Sequence, residues 1–397
     1  MASNPRPDAP PMTTLAPSPP PVRRRHLPRS ARTLAELLAH ADVQLDGGRP
    51  WDIQVRDPRF FDRVMGDGTL GAGESYMDGW WDCEQLDVMF TKVLSAKLER
   101  RLPFTFTLAA DLLKSRLINR QNRWWSRTVA RRHYDLGNEF YRDMLDSRMQ
   151  YTCAYWKDAR TLDQAQENKL DLVCRKLSLR PGMTVLELGA GWGGFARFAA
   201  ERYGCRVTSY NISEEQVAYA REYNKGLPVE IRHADYRDAT GTYDRVVSIG
   251  LCEHIGYKNY RTFFELIRRS LVEGGLALVH TIGGIRSVTS LDPWFSKYIF
   301  PHGMLPSMAQ LSRAAEDLVL MEDVHSFGAD YDPTLMAWHA NFVRNWPRHR
   351  DAFDERFYRM WVYYLLVCAG AFRSRKNQLW QIVFSRDGVP GGYTAVR

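Results

Sequence analysis

From Met183 onward, short apolar runs alternate with amphipathic stretches of helical period. Thr184–Leu188, Arg206–Tyr210, Val229–His233, Asp244–Ile249 and Leu276–His280 read as strands separated by helices. That alternation predicts a parallel sheet in a doubly wound α/β fold. Two later runs, near Leu318–His325 and Leu379–Ser385, would bring the sheet to seven strands. Between them, Leu335–Arg373 predicts a helical insertion crowded with aromatics: Trp338, Phe342, Trp346, Phe353, Phe357, Trp361, Tyr363 and Tyr364. Such a stretch suits an amphipathic core helix, or equally a roof over an apolar pocket. Upstream, Ala31–Leu98 reads as a small α+β module. Its pattern predicts a helix (Thr33–His40) and a hairpin of Val43–Leu45 and Asp52–Val55 around Asp46-Gly47-Gly48. Further helices are expected at Pro58–Met65 and Gln85–Leu98. The longest apolar run, Met360–Phe372, has 13 residues. A membrane span needs roughly 20, so a buried helix is expected.

The first strand runs into Gly189-Ala-Gly-Trp-Gly-Gly194, a glycine-rich turn that opens a helix at Phe195–Tyr203. Glycines at 189, 191 and 193 let the backbone take positive φ and approach a ligand closely. Gly189, Gly191 and Gly194 also satisfy GxGxxG, so the glycines alone do not separate a dinucleotide from S-adenosylmethionine. Two details do. Glu187, two residues before the first glycine, can face the ammonium of an amino-acid cofactor. The second strand ends at Asn211, where a dinucleotide ribose usually meets an acid. A cationic sulfonium cofactor fits better than a pyrophosphate.

Composition narrows the setting. At 397 residues the chain has room for one large domain and a smaller one. Six cysteines (83, 153, 174, 205, 252, 368) lie scattered with no CxxC and no Cys/His cluster. That argues against a metal site and against a disulfide framework, and suits the reducing cytoplasm. Nine prolines and no apolar core in the first 30 residues predict a disordered leader rather than a signal peptide. A net charge of +8 points to an anionic partner, nucleic acid or an acidic membrane surface. Lys114–Arg132 holds seven basic residues and no acid around Trp124 and Trp125. It reads as a solvated helix face or as a segment lying on a membrane surface.

In open α/β sheets ligands lie beyond the carboxyl ends of the strands. The fourth strand delivers Glu253 and His254 there, and the fifth ends at His280. Two titratable groups on adjacent strands at that edge point to function.

The chain resembles the cyclopropane-fatty-acyl-phospholipid synthases. The resemblance is carried by Gly73-Glu-Ser-Tyr-Met-Asp-Gly-Trp-Trp81, His133-Tyr-Asp-Leu-Gly-Asn138, Gln150-Tyr-Thr-Cys-Ala-Tyr-Trp156 and Glu187–Gly194. It continues through His280-Thr-Ile-Gly283, Asp292-Pro-Trp-Phe-Ser-Lys-Tyr-Ile-Phe-Pro301, Gly328-Ala-Asp-Tyr331 and Cys368-Ala-Gly-Ala-Phe372. It spans Ala31 to Arg386 in one order. It implies a class I S-adenosylmethionine methyltransferase fold and addition of the cofactor's methyl carbon across a cis double bond of a phospholipid acyl chain.

The chemistry accounts for the residues. An alkene is a weak nucleophile, so donor and acceptor must be held in line in a dry site. Methyl transfer leaves a carbocation, which aromatic faces stabilise. Ring closure then needs a base to take a proton from the new methyl group. The resemblance implies a bound bicarbonate in that role, touched by Cys153, Glu253, His280, Ile282 and Tyr331. Cys368 is the candidate catalytic cysteine it implies; with no evident activating base, a site-lining role suits it better. Tyr151, Thr152, Glu187, Gly189, Gly191, Gly193, Asn211, Ile212, Gln216, Asp235 and Tyr236 are the expected cofactor contacts. The chain then divides into a leader (1–30), an N-terminal domain (31–110), a basic linker (111–130) and a catalytic domain (131–397). The resemblance also implies a homodimer, and the expected location is cytoplasmic, peripheral at the inner face of the membrane. One rival is an enzyme of the same fold giving a methyl-branched, methylene or hydroxylated chain. A nucleic-acid-binding protein finds no recognisable module in support, and a non-catalytic lipid binder would not need the cofactor loop.

Overall fold

The computed structural model describes residues 28–98 and 136–397. Residues 1–27 of the expected leader, the basic segment Lys114–Arg132 and the expected boundaries at 110 and 130 lie outside the described residues, and the first helix begins at Arg29, inside the expected leader.

The N-terminal part comprises α1 (Arg29–Ala39), β1 (Gln54–Val55), α2 (Arg59–Met77), β2 (Trp81–Asp82) and α3 (Leu86–Ser95). Helices α4 (Asn138–Met144) and α5 (Leu162–Lys176) lead into the sheet. There follow β3 (Thr184–Leu188), α6 (Gly194–Tyr203), β4 (Arg206–Asn211), α7 (Glu214–Tyr223), β5 (Val229–His233) and β6 (Tyr243–Ile249). Next come α8 (Cys252–Ile255), α9 (Tyr260–Ser270), β7 (Leu271–Gly284), α10 (Pro293–Tyr298), α11 (Met308–Ala315) and β8 (Leu320–Ser326). The chain closes with α12 (Tyr331–Asn345), α13 (Glu355–Arg373) and β9 (Asn377–Ser385).

The sheet has seven strands in the order β5-β4-β3-β6-β7-β9-β8. The strands from β3 to β7 pair in parallel, while β9 slots antiparallel between β7 and β8. Successive strands run outward from β3 to β5, then the chain returns to place β6 on the other side of β3. The crevice between β3 and β6 is therefore the topological switch point, where ligands of such sheets bind.

The aromatic insertion forms two helices rather than one, broken at the Pro347 turn. Helix α13 is mostly buried and holds the whole 13-residue apolar run. Its Phe357 stacks on both Phe353 and Trp361, and Phe357 and Trp361 meet Phe140 of α4 edge-on. Tyr363 faces the N-terminal part, with ring centres 5.4 Å from Tyr76 and 5.3 Å from Phe90, and lies 4.6 Å from Trp294 of α10. A Cβ on Gly370 would sit 2.9 Å from the Phe90 Cβ, so glycine there lets α3 and α13 touch. The N-terminal helices thus share one core with the insertion. Buried Glu74 adds a polar tie, accepting from Lys297 Nζ at 2.5 Å and Tyr298 Oη at 2.8 Å.

Two local expectations fail. No hairpin forms around Asp46-Gly47-Gly48; Leu45 and Ile53 make an isolated parallel bridge, and β1 pairs with β2 instead. Asp52 organises that loop, its carboxylate accepting from the amides of Gln44 (2.8 Å) and Arg49 (3.0 Å) and from the Arg49 guanidinium. The helix expected at Pro58–Met65 continues to Met77 through a kink at Gly68 (φ 58°). Gly73, further along the same helix, serves close packing, since a Cβ there would lie 2.3 Å from the Trp294 ring.

Candidate active site

A cavity opens at the carboxyl ends of β3, β4, β5 and β6. The β3–α6 turn forms its floor, with Gly189 at φ +92° and Gly191 at φ +52°. A Cβ built on Gly191 meets no protein atom within 4 Å, so that residue borders open space. Tyr151, Thr152, Glu187, Ile212, Gln216, Asp235 and Tyr236 line the same cavity. Asn211 lines it too, and its side chain holds the turn: Nδ2 donates to the Gly191 carbonyl and to Gln216 Oε1, both at 2.9 Å. Gly193 is placed differently from the expectation. Its missing Cβ would lie 2.5 Å from Asn224 Nδ2, so it lets α6 pack on α7 rather than admit a ligand.

Glu187 is buried, its Oε2 accepting from Ser209 Oγ at 2.6 Å. Burial pushes its carboxyl up to about 8, opposed by the Ser209 hydroxyl and by Lys169. Lys169 is wholly buried under the cavity wall, donating to Gln150 Oε1 (2.5 Å) and Thr152 Oγ1 (3.0 Å). Burial lowers its pKa and raises that of nearby Asp146, which accepts from the amides of Arg148 and Gln150. Together these groups fix the 149–153 strap along one side of the cavity.

The second group of expected residues converges beside it. Glu253 stands on α8, just past β6, with Oε1 accepting from the Ile282 amide at 2.6 Å. Its Oε2 is buried and has no hydrogen-bond partner among the described residues. Burial pushes this carboxyl up to about 7, against the pull of the Ile282 amide. On β7, His280 has Nδ1 3.3 Å from Gln381 Nε2, while its Nε2 is buried and has no partner among the described residues. Burial, followed by the positive field of Lys169 and Lys176, holds the ring well below the usual histidine range, so it is neutral. With the Gln381 amide donating to Nδ1, the ring proton sits on Nε2 and is free to donate.

Tyr331 is buried against Phe372 (4.4 Å between ring centres) and Trp338 (5.9 Å). Burial raises its phenol well above the ordinary value, reinforced by its neighbours Cys153, Glu253, Tyr151 and Cys368. Cys153 is fully buried, its thiol donating to the Ala154 carbonyl at 3.2 Å. Cys368, on α13, has its thiol pKa raised by burial alone. Both thiols are protonated and neither is poised as a nucleophile. Tyr151 links the two halves of the site: it lines the cavity, packs on Trp338 at 5.2 Å and meets Tyr364 Oη at 2.9 Å.

Several contributors were not singled out from sequence. Lys169 reads as an ordinary helix lysine, and only its burial marks it. Gln381 sits mid-strand on β9, where nothing in the sequence signals a partner for His280. His254, which the sequence places at the ligand edge without a role, lines the cavity, its pKa lowered to about 4 by burial. Its place beside Glu253 was the available signal.

The sheet order and the cavity at its switch point define a class I, Rossmann-like S-adenosylmethionine-dependent methyltransferase. A solved mycolic acid cyclopropane synthase, CmaA1 complexed with SAH and CTAB, superposes with a TM-score of 0.61 at 30% identity, covering 65% of this chain and 98% of that one. The chain belongs to the mycolic acid cyclopropane synthetase family, whose model matches residues 121–382. It is 50% identical over 366 residues to the cyclopropane-fatty-acyl-phospholipid synthase of Escherichia coli K12, covering 92% of this chain and 96% of that protein. It is 31% identical over 400 residues to the tuberculostearic acid methyltransferase UfaA1 of Mycobacterium tuberculosis, covering 93% and 92% respectively.

Proposed function

We propose that this enzyme converts a cis double bond of an unsaturated phospholipid acyl chain into a cyclopropane ring. The observation that carries the reading is a pair of buried, unpartnered polar atoms, Glu253 Oε2 and His280 Nε2, beside the aromatic wall of Tyr331, Trp338 and Phe372. Buried polar groups left without partners are costly, so a small polar species belongs beside them. Fifty per cent identity along 92% of the chain to a named cyclopropane synthase favours ring closure over methyl transfer alone, the activity named for the less similar UfaA1.

S-adenosylmethionine fits the first cavity and supplies an electrophilic methyl group. Glu187 would hold its ammonium, and the open edge at Gly191 would admit the rest. Bicarbonate fits the orphaned pair and supplies the base that takes the final proton. Glu253 Oε2 would accept from its hydroxyl, and His280 Nε2–H would donate to another oxygen. The Ile282 amide, occupied by Glu253, would act by orienting that carboxylate. The Tyr331, Trp338 and Phe372 rings face the position where positive charge develops, and Cys153 and Cys368 keep the wall dry. Association with an anionic membrane through Lys114–Arg132, a cytoplasmic location and a homodimer are part of the same proposal.

Glu253→Gln tests the base. The amide keeps the size but presents NH2 donors where a hydroxyl must be accepted. Turnover should fall about 10²–10⁴-fold, with cofactor binding retained. Removing dissolved CO2 should slow the parent enzyme, and added bicarbonate should restore it. A parent rate indifferent to bicarbonate rejects the bound anion; a fully active Glu253→Gln enzyme rejects this site as the base.

A further inference from the structure

Five large apolar side chains are exposed among the described residues, and two of them, Ile285 (72% exposed) and Val288 (39%), share one short loop. The loop leaves β7 just past Ile282 and enters α10 at the Asp292 cap. Its backbone is fixed. The Gly284 amide donates to the Pro306 carbonyl at 2.8 Å, the Ser287 and Ser307 hydroxyls are 2.8 Å apart, and Gln310 Nε2 donates to the Val288 carbonyl at 2.9 Å. Arg286, between the two apolar residues, is exposed and makes no ion pair among the described residues. Past the loop, Phe295 and Phe300 pack on Tyr364 at 6.2 and 5.8 Å, and Tyr364 reaches Tyr151. Aromatic side chains therefore run from the α10 end of the loop to the reaction site.

We propose that the β7–α10 loop is a bilayer contact of this enzyme. Ile285 and Val288 enter the boundary between headgroups and acyl chains, and Arg286 meets a lipid phosphate. A loop pinned so that it shows two apolar side chains to water is one that meets an apolar medium. An unpaired cation between them matches a layer of phosphates over hydrocarbon. The same strand carries His280 and Ile282, so this contact brings the membrane to the catalytic end of the sheet. The inference rests on the proposed lipid substrate, and it is independent of the basic segment.

The test uses the full chain and vesicles of unsaturated phosphatidylethanolamine and phosphatidylglycerol. Ile285→Asp combined with Val288→Asp should cut vesicle co-sedimentation and vesicle turnover at least about tenfold. Turnover of the same phospholipid dispersed in detergent micelles should stay within about twofold, because the catalytic groups are untouched. A separate Ile285→Cys variant carrying an environment-sensitive dye should shift its emission to the blue on vesicles. Unchanged vesicle binding, an equal loss on vesicles and micelles, or a dye that does not respond would each overturn the proposal. So would a double variant that changes only its oligomeric state, since that face would then meet a second copy. A parent that binds vesicles yet converts no phospholipid, together with a labelled Ile285→Cys variant whose dye shifts, would sink the lipid-substrate reading and leave the contact standing.

Discussion

If Glu187 receives the ammonium of S-adenosylmethionine, cofactor binding must release a proton. Burial holds the free carboxyl at about 8, whereas binding a cation requires it ionised. The sign follows directly: the bound state carries fewer protons, so affinity rises with pH below that value. At pH 6 about one carboxyl in a hundred is ionised, and each pH unit is worth about 1.4 kcal/mol, or tenfold in affinity. Between pH 5 and 7 the ligand's own amine stays charged, so the dissociation constant should fall by about a hundredfold. Calorimetry in buffers of different ionisation enthalpy should count close to one proton released per cofactor bound. Glu187→Gln should flatten the pH profile and weaken binding at pH 7 by roughly tenfold or more, the value of a charged hydrogen bond. A parent protein whose affinity ignores pH, with no proton released, would refute this placement of the ammonium.

Two further outcomes are expected. Gly191→Val puts a branched side chain at positive φ and into open cavity, so S-adenosylmethionine affinity should collapse while circular dichroism shows a folded protein; calorimetry with unchanged binding would remove this turn from the cofactor site. Replacing Arg120, Arg123 and Arg127 with Gln should weaken binding to anionic vesicles by about 1 kcal/mol per charge, as added salt should; wild-type binding at low and high salt would exclude the basic segment.

The parallel strands and the glycine turn were legible because buried strands read as continuous apolar runs. Strand ends then placed Glu187, Glu253 and His280 at the ligand edge without further information. What stayed hidden depended on tertiary contact. The continuation of α2 past Met65 stays hidden until Trp294 is packed against Gly73. The turn at Asp46-Gly47-Gly48 reads as a hairpin until the Asp52 carboxylate takes up the Gln44 and Arg49 amides on either side of it. Gly193 looks like Gly189 and Gly191 until α7 is seen behind it. Lys169 and Gln381 act through burial and partners far away in sequence, which no local pattern encodes.

The central claim is ring formation on a phospholipid acyl chain, and lipid mass spectrometry after expression in a host that lacks cyclopropane lipids tests it most directly. Unsaturated phospholipids should gain one CH2 unit, and the product should resist alkene-specific derivatisation. A mass gain in a product that still reacts as an alkene, or carries a methyl branch or hydroxyl, would contradict ring closure. No mass change in the presence of folded, cofactor-binding protein would contradict the lipid reading altogether.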